Sequence, residues 1–170
     1  MKNKKLLNYS DYLQLEKILS GQELMSAKRG TPAHDEMLFI IVHQVYELWF
    51  KQILHELDSV IIIFNQESII ESDVSFVVLR LQRIIEIQKI LIDQIRVLET
   101  MTAMDFLEFR DDLFPSSGFQ SAQFRLMENK LGLLNDHRIM YGGKDYTSAL
   151  KKEEKSTVQN SEQEKSLFEL

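Results

Sequence analysis

Proline stands at only two positions in this 170-residue chain, Pro32 and Pro115, and glycine at six. These are the residues that end helices, so long uninterrupted helices are allowed over most of its length. The β-branched clusters Val60-Ile61-Ile62-Ile63 and Ile84-Ile85 would suit strands in isolation. The length of the segments and the three-to-four spacing of their apolar residues decide for helix. The fold class predicted is all-α: one domain over residues 1–170, a bundle built on two long antiparallel helices with shorter helices around them.

The spacing predicts a first short helix over Asp11–Ser20, capped by Ser10, then a loop over Gly21–Ala33 that carries Gly30-Thr31-Pro32. A second helix is predicted over His34–Phe64. At 1.5 Å per residue it would be roughly 45 Å long. A third, Asp73–Leu98, pairs with it as an antiparallel hairpin through Val74, Val77, Leu81, Ile84, Leu91, Ile95 and Leu98. Thr102 and Asp105 form a capping-box pattern for a fourth helix to Leu113. Pro115-Ser116-Ser117-Gly118 is a turn before a fifth helix, Phe119–Leu131. Gly142-Gly143 open a polar stretch, so residues 142–160 are expected to be a loop or a partly disordered insert. Ser161-Glu162-Gln163-Glu164 then reads as the cap of a new helix that runs only about two turns, the pattern expected of a chain cut short.

Within the second helix, Phe39 to Lys51 is apolar almost all the way round and holds a single imidazole, His43. An all-round apolar helix is expected to be buried. A buried imidazole either has a hydrogen-bond partner in the core or faces a cavity that holds a ligand. Phe39 lies one turn before His43 on the same face, so the two can line one pocket. No second ligand accompanies His55 at metal spacing, so it is expected to be structural, while His34 is expected to start the second helix and His137 to lie in a polar loop without chemistry.

Composition excludes several functions. A net charge of −6 and the absence of a basic stripe interleaved with aromatics argue against a nucleic-acid partner. The longest apolar run, Met37–Val42, is too short for a bilayer, so no membrane partner is expected. With no cysteine there is no disulfide, zinc-thiolate or iron–sulfur site. A cytoplasmic protein is expected.

Several segments, in order, carry a family resemblance. They are Tyr9-Ser-Asp-Tyr12-Leu13, Phe39-Ile-Ile-Val-His43-Gln44, Tyr46-Glu-Leu-Trp-Phe-Lys51, Leu98-Glu-Thr-Met-Thr102, Phe109-Arg110, Pro115-Ser-Ser-Gly-Phe-Gln-Ser121 and Phe124-Arg-Leu-Met-Glu-Asn-Lys130. Together they resemble the tryptophan 2,3-dioxygenases, and Ser161-Glu-Gln-Glu-Lys165 is similar to the animal-type enzymes. The resemblance implies a helical homotetramer with one haem b per subunit, inserting both atoms of O₂ into the indole ring of L-tryptophan to give N-formylkynurenine. It implies that His43 is the catalytic distal histidine. It assigns Phe39, Phe106 and Leu113 to the walls of the indole pocket, and Arg110 to the substrate carboxylate. Ser117 and Gly118 are implied to lie at the haem edge. Tyr9, Tyr12 and Leu13, within an arm over residues 1–20, are implied to reach a neighbouring subunit's site.

The family's proximal haem histidine has no counterpart among His34, His43, His55 and His137. The resemblance therefore implies no metal ligand within this chain and no turnover by residues 1–170 alone. A non-catalytic helical interaction module derived from the same family is the competing expectation.

Overall fold

The computed structural model of the chain describes residues 6–138 and 145–170, and these contain helices and turns only. The two long helices are α4 (Glu36–Phe64) and α5 (Glu71–Leu98), paired antiparallel. Phe50, Ile53 and Leu57 of α4 meet Ile84, Ile87 and Leu91 of α5, and Val60 and Ile63 meet Val77 further along. These positions recur every three or four residues, the stripe that makes two helices face each other. Two polar contacts fix the register: the Tyr46 hydroxyl donates to the Leu91 carbonyl at 2.6 Å, and Gln94 Nε2 donates to the Val42 carbonyl at 3.3 Å. Glu56, buried on α4, is bound by Gln52 at 2.7 Å and by Arg83 of α5 at 2.6 Å.

The helix α7 (Ala122–Leu131) closes a third side of this core with Met127, Phe124 and Leu131. Gln123 Nε2 donates to the Glu47 carbonyl at 2.9 Å and to its carboxylate at 2.7 Å, and Lys130 pairs with Asp58 at 2.7 Å, so α7 runs alongside α4 in the same direction. With α5 and α7 on two sides, α4 is not enclosed as expected: Ile41, Leu48 and Ile62 remain exposed. The described residues leave that third side of the helix uncovered. None of the helices among them is long and apolar enough to cross a membrane.

Several shorter elements differ from expectation. The first helix is two, α1 (Tyr9–Leu13) and α2 (Leu15–Leu19), with Asn8 rather than Ser10 as the cap. Gln14 separates them at φ 52°, and its side-chain amide donates to the Asp11 carbonyl at 2.6 Å. A left-handed residue cannot continue a right-handed helix. The fourth helix stops early as α6 (Ala103–Leu107), and a 3₁₀ turn follows over Arg110–Leu113. The expected start of the fifth, Phe119, lies instead in a 3₁₀ turn, Gly118–Gln120.

Gly142 and Gly143 lie outside the described residues. Past them, the expected loop is a 3₁₀ turn, Tyr146–Ala149, and a helix, α8 (Lys152–Ser161). The Glu154 carboxylate caps that helix by accepting from Lys151 N at 3.2 Å, and Val158 is fully buried against α7. Ser161 ends α8 instead of starting a new helix, because its hydroxyl is engaged by Asn129 at 2.7 Å and donates to the Val158 carbonyl at 2.7 Å. The aromatic ring of Tyr146 lies 4.1 Å from the Arg138 guanidinium, and its hydroxyl donates to Glu162. Burial and that contact push its pKa up to about 12.

The expected loop after α2 contains α3 (Met25–Lys28), and its cap comes from a distance. The carboxylate of Glu36, fully buried, accepts Met25 N at 2.7 Å, Ser26 N at 3.0 Å and the Ser26 hydroxyl. Ser26 Oγ in turn accepts Ala33 N at 2.9 Å. The orphan N–H groups of a short helix start are thus satisfied by a negative charge at its positive end. Burial pushes the Glu36 carboxyl up, but the hydrogen bonds from Ser26 and Met25, helped by the charge of Arg29, outweigh it and hold the pKa below 4.5. A carboxyl depressed on folding stabilises fully above its unfolded pKa, and that contribution is lost as pH falls through the folded value. Glu36→Gln is expected to lower unfolding free energy by about 1–3 kcal/mol at neutral pH. In urea titrations the deficit should shrink once the pH drops below 4.5; a deficit constant with pH would contradict the carboxylate's role.

Candidate functional site

His43 lies seven residues before Phe50 on α4, two turns away and on the same apolar seam. It occupies a core position in register, but α7 starts too late to cover it. The turns between α6 and α7 pass over it instead, and they leave a groove. One depression of about 400 Å³ is lined by Phe39, Ile40, His43, Leu113, Ser117 and Gly118. A second of about 380 Å³ continues past Tyr46, Phe50, Phe124 and Arg125, and the two share His43, Glu47, Ser117, Gly118 and Ser121.

The imidazole has both of the features its sequence context left open. Its Nδ1 lies 2.7 Å from the Phe39 carbonyl. A carbonyl only accepts, so Nδ1 carries the hydrogen, and in the neutral ring Nε2 keeps the lone pair. His43 therefore has a partner for one nitrogen and an acceptor for a ligand at the other. Its ring lies 4.1 Å from that of Phe39. Behind them Phe106 and Phe109 complete an aromatic cluster, at 5.7 and 5.6 Å from Phe39 and edge-on to each other at 5.4 Å.

The opposite wall is a stiff turn. Ser116 Oγ donates to the Leu113 carbonyl at 2.6 Å, Ser117 N donates to Gln120 Oε1 at 3.1 Å, and Phe119 N donates to Ser117 Oγ at 3.3 Å. A Cβ on Gly118 would meet nothing within 4 Å, so glycine there leaves the groove wall flat and open. On the α4 side, Gln44 donates to the Gly21 carbonyl at 2.9 Å and accepts from Gln22 at 2.6 Å, tying the end of α2 to the rim.

Phe39, His43, Leu113, Ser117 and Gly118 are thus brought together, and Phe106 stands behind Phe39. Arg110 is exposed on the turn that carries Leu113, and among the described residues its guanidinium has no partner. Tyr9, Tyr12 and Leu13 are exposed on α1 and do not line the groove. His34, His55 and His137 are exposed away from it, and among the described residues no His, Asp and Glu cluster could hold a metal. Sequence reasoning passed over Glu47, one helical turn after His43 and detectable by that spacing. Gln44, Phe124 and Arg125 gave no comparable signal.

The all-helical scaffold carries an aromatic-walled groove with one imidazole acceptor, a shape and polarity that suit a flat, largely apolar group with a hydrogen-bond donor. Comparison with known proteins specifies the family. The tryptophan 2,3-dioxygenase family model matches residues 2–170. The chain is 55% identical over 162 residues to a tryptophan 2,3-dioxygenase of Alteromonas mediterranea, covering 95% of this chain and 45% of that protein. It is 52% identical over 162 residues to that of Dictyostelium discoideum, covering 95% and 40%. It is 53% identical over 165 residues to that of Xenopus laevis, covering 96% and 41%. The chain belongs to the tryptophan 2,3-dioxygenase family, and it spans less than half the length of these relatives.

Phe109 is fully buried and joins the Arg110–Leu113 turn to α4. Phe109→Ala is expected to cost about 3–5 kcal/mol, and Phe109→Leu distinctly less. Denaturant midpoints check this, and equal midpoints for Phe109→Ala and the unsubstituted chain would refute the packing argument.

Proposed function

We propose that the groove is the distal wall of a haem dioxygenase site in which L-tryptophan and O₂ are converted to N-formylkynurenine. The observation that carries the reading is the gathering of Phe39, His43, Leu113, Ser117 and Gly118 on one groove, with His43 Nδ1 committed to the Phe39 carbonyl. The fit to haem b rests on the flat wall at Ser117–Gly118, where a Cβ would find open space, and on the apolar continuation past Tyr46, Phe50 and Phe124. When bound, the haem iron supplies the place where O₂ is held and activated.

The chain's own residues bind and orient the substrate. His43 Nε2 accepts the indole N–H, which sets the ring's orientation. Phe39, Phe106 and Leu113 enclose the ring and exclude water. Arg110, without a partner among the described residues, offers its planar fork to the substrate carboxylate. His43 is a hydrogen-bonding residue, not the iron ligand, and the remaining described histidines lie away from the groove. Residues 1–170 alone therefore supply one wall of the site and should not turn over tryptophan.

The exposed apolar residues Leu48, Ile62, Phe76, Leu79 and Ile92 support assembly into a homotetramer, with Tyr9, Tyr12 and Leu13 completing a neighbour's site. The absence of cysteine fits the reducing cytoplasm.

In the haem-replete dioxygenase, Arg110→Ala should weaken L-tryptophan binding by about 2–5 kcal/mol with haem content unchanged. His43→Ser should keep the haem and slow turnover about 10²-fold. Tight tryptophan binding by the first variant, or loss of haem by the second with the fold intact, would overturn the assignment.

A further inference from the structure

The guanidinium of Arg29, at the end of α3, reaches a turn some eighty residues away in sequence. Its Nη2 donates to the Glu108 carbonyl at 2.9 Å and lies 3.1 Å from Asp112 Oδ2. One nitrogen thus bridges both ends of the segment whose middle is Arg110. Asp112 Oδ2 is buried and receives no hydrogen bond of good geometry, so Arg29 is the cation that compensates its charge. Arg29 is itself held in place, because α3 is fastened to α4 through the buried Glu36 carboxylate.

We propose that Arg29 is a positioning residue for Arg110: by neutralising Asp112 it keeps that carboxylate from capturing the Arg110 guanidinium two residues away. This rests on the reading of Arg110 as the carboxylate-binding residue. Arg110 has no partner among the described residues, so its direction depends on the turn and on competing charges. With Arg29 removed, Asp112, two residues along the same turn, becomes an uncompensated and partly buried negative charge. An intramolecular partner on the same turn is present at high effective concentration and competes with a substrate carboxylate. With Arg29 in place, that competitor is occupied.

The test compares two ligands on the haem-replete protein by calorimetric titration: L-tryptophan, and tryptamine, which keeps the ring and the ammonium but lacks the carboxylate. Arg29→Ala should weaken L-tryptophan about tenfold, equivalent to about 1.4 kcal/mol, and leave tryptamine within about twofold. Arg29→Lys, which restores the charge, should recover most of the loss. Adding Asp112→Asn to Arg29→Ala should also recover it, because the one carboxylate that Arg29 neutralises is then gone. A merely structural Arg29 would weaken both ligands equally and gain nothing from Asp112→Asn, and either result overturns the proposal. Should Arg29→Ala fail to fold, Arg29→Gln with and without Asp112→Asn carries the same comparison. Arg110→Ala distinguishes the two levels. If it leaves the ratio of the two affinities unchanged, Arg110 does not bind the carboxylate and the proposal falls with that reading. If it collapses the ratio while Arg29→Ala does not lower it, the reading stands and the Arg29 proposal alone fails.

Discussion

Burial of Phe50, Ile53 and Leu57 against Ile84, Ile87 and Leu91 fixes the rotation of α4 about its axis, and that rotation decides which way His43 faces. His43 and Phe50 stand two turns apart on one seam, as do Phe39 and Tyr46. The groove is the stretch of this seam that α5 and α7 do not cover. A position that would hold an aliphatic side chain further along holds an imidazole here, with one nitrogen satisfied by its own helix and the other without a partner among the described residues. Packing and chemistry therefore share one register, and a slip of α4 against α5 would lose both.

The rest of the site depends on how the turns over that seam are fastened. Phe109 ties them to α4 through Phe39, and the hydrogen-bonded run from Leu113 to Gln120 stiffens the far wall. Polar contacts from outside the groove complete the frame: Glu36 caps α3, and Arg29 passes that anchorage to Glu108 and Asp112. In this frame the Glu36 carboxylate is held by hydrogen-bond donors and Asp112 by the charge of Arg29, which offsets the cost of burying them.

How much of this could be read from the sequence depended on how local each cause is. The α4–α5 hairpin was legible because Val77, Ile84 and Leu91 repeat at helical spacing, and Phe39 with His43 followed from the same period. Leu113, Ser117 and Gly118 came only through family resemblance, since nothing local shows that a turn seventy residues on covers His43. The break at Gln14 was hidden because its cause is a left-handed residue held by its own side chain, where glycine would have been the signal. Residues 145–160 read as polar because α8 buries little beyond Val158 and Ser161, and its docking depends on Asn129 of another helix. The cap of α3 by Glu36 and the bridge by Arg29 join residues far apart in sequence, and spacing carries no trace of such contacts.

The proposed site rests on His43 Nε2 as the acceptor for the substrate ring and Arg110 as the partner for its carboxylate. A crystal structure of the haem-replete protein with L-tryptophan measures both at once. The indole nitrogen is expected at about 2.7–3.2 Å from His43 Nε2, the ring between Phe39 and Leu113, and both carboxylate oxygens on the Arg110 guanidinium. An indole nitrogen pointing away from His43, or a carboxylate held by other residues with Arg110 in solvent, would contradict it.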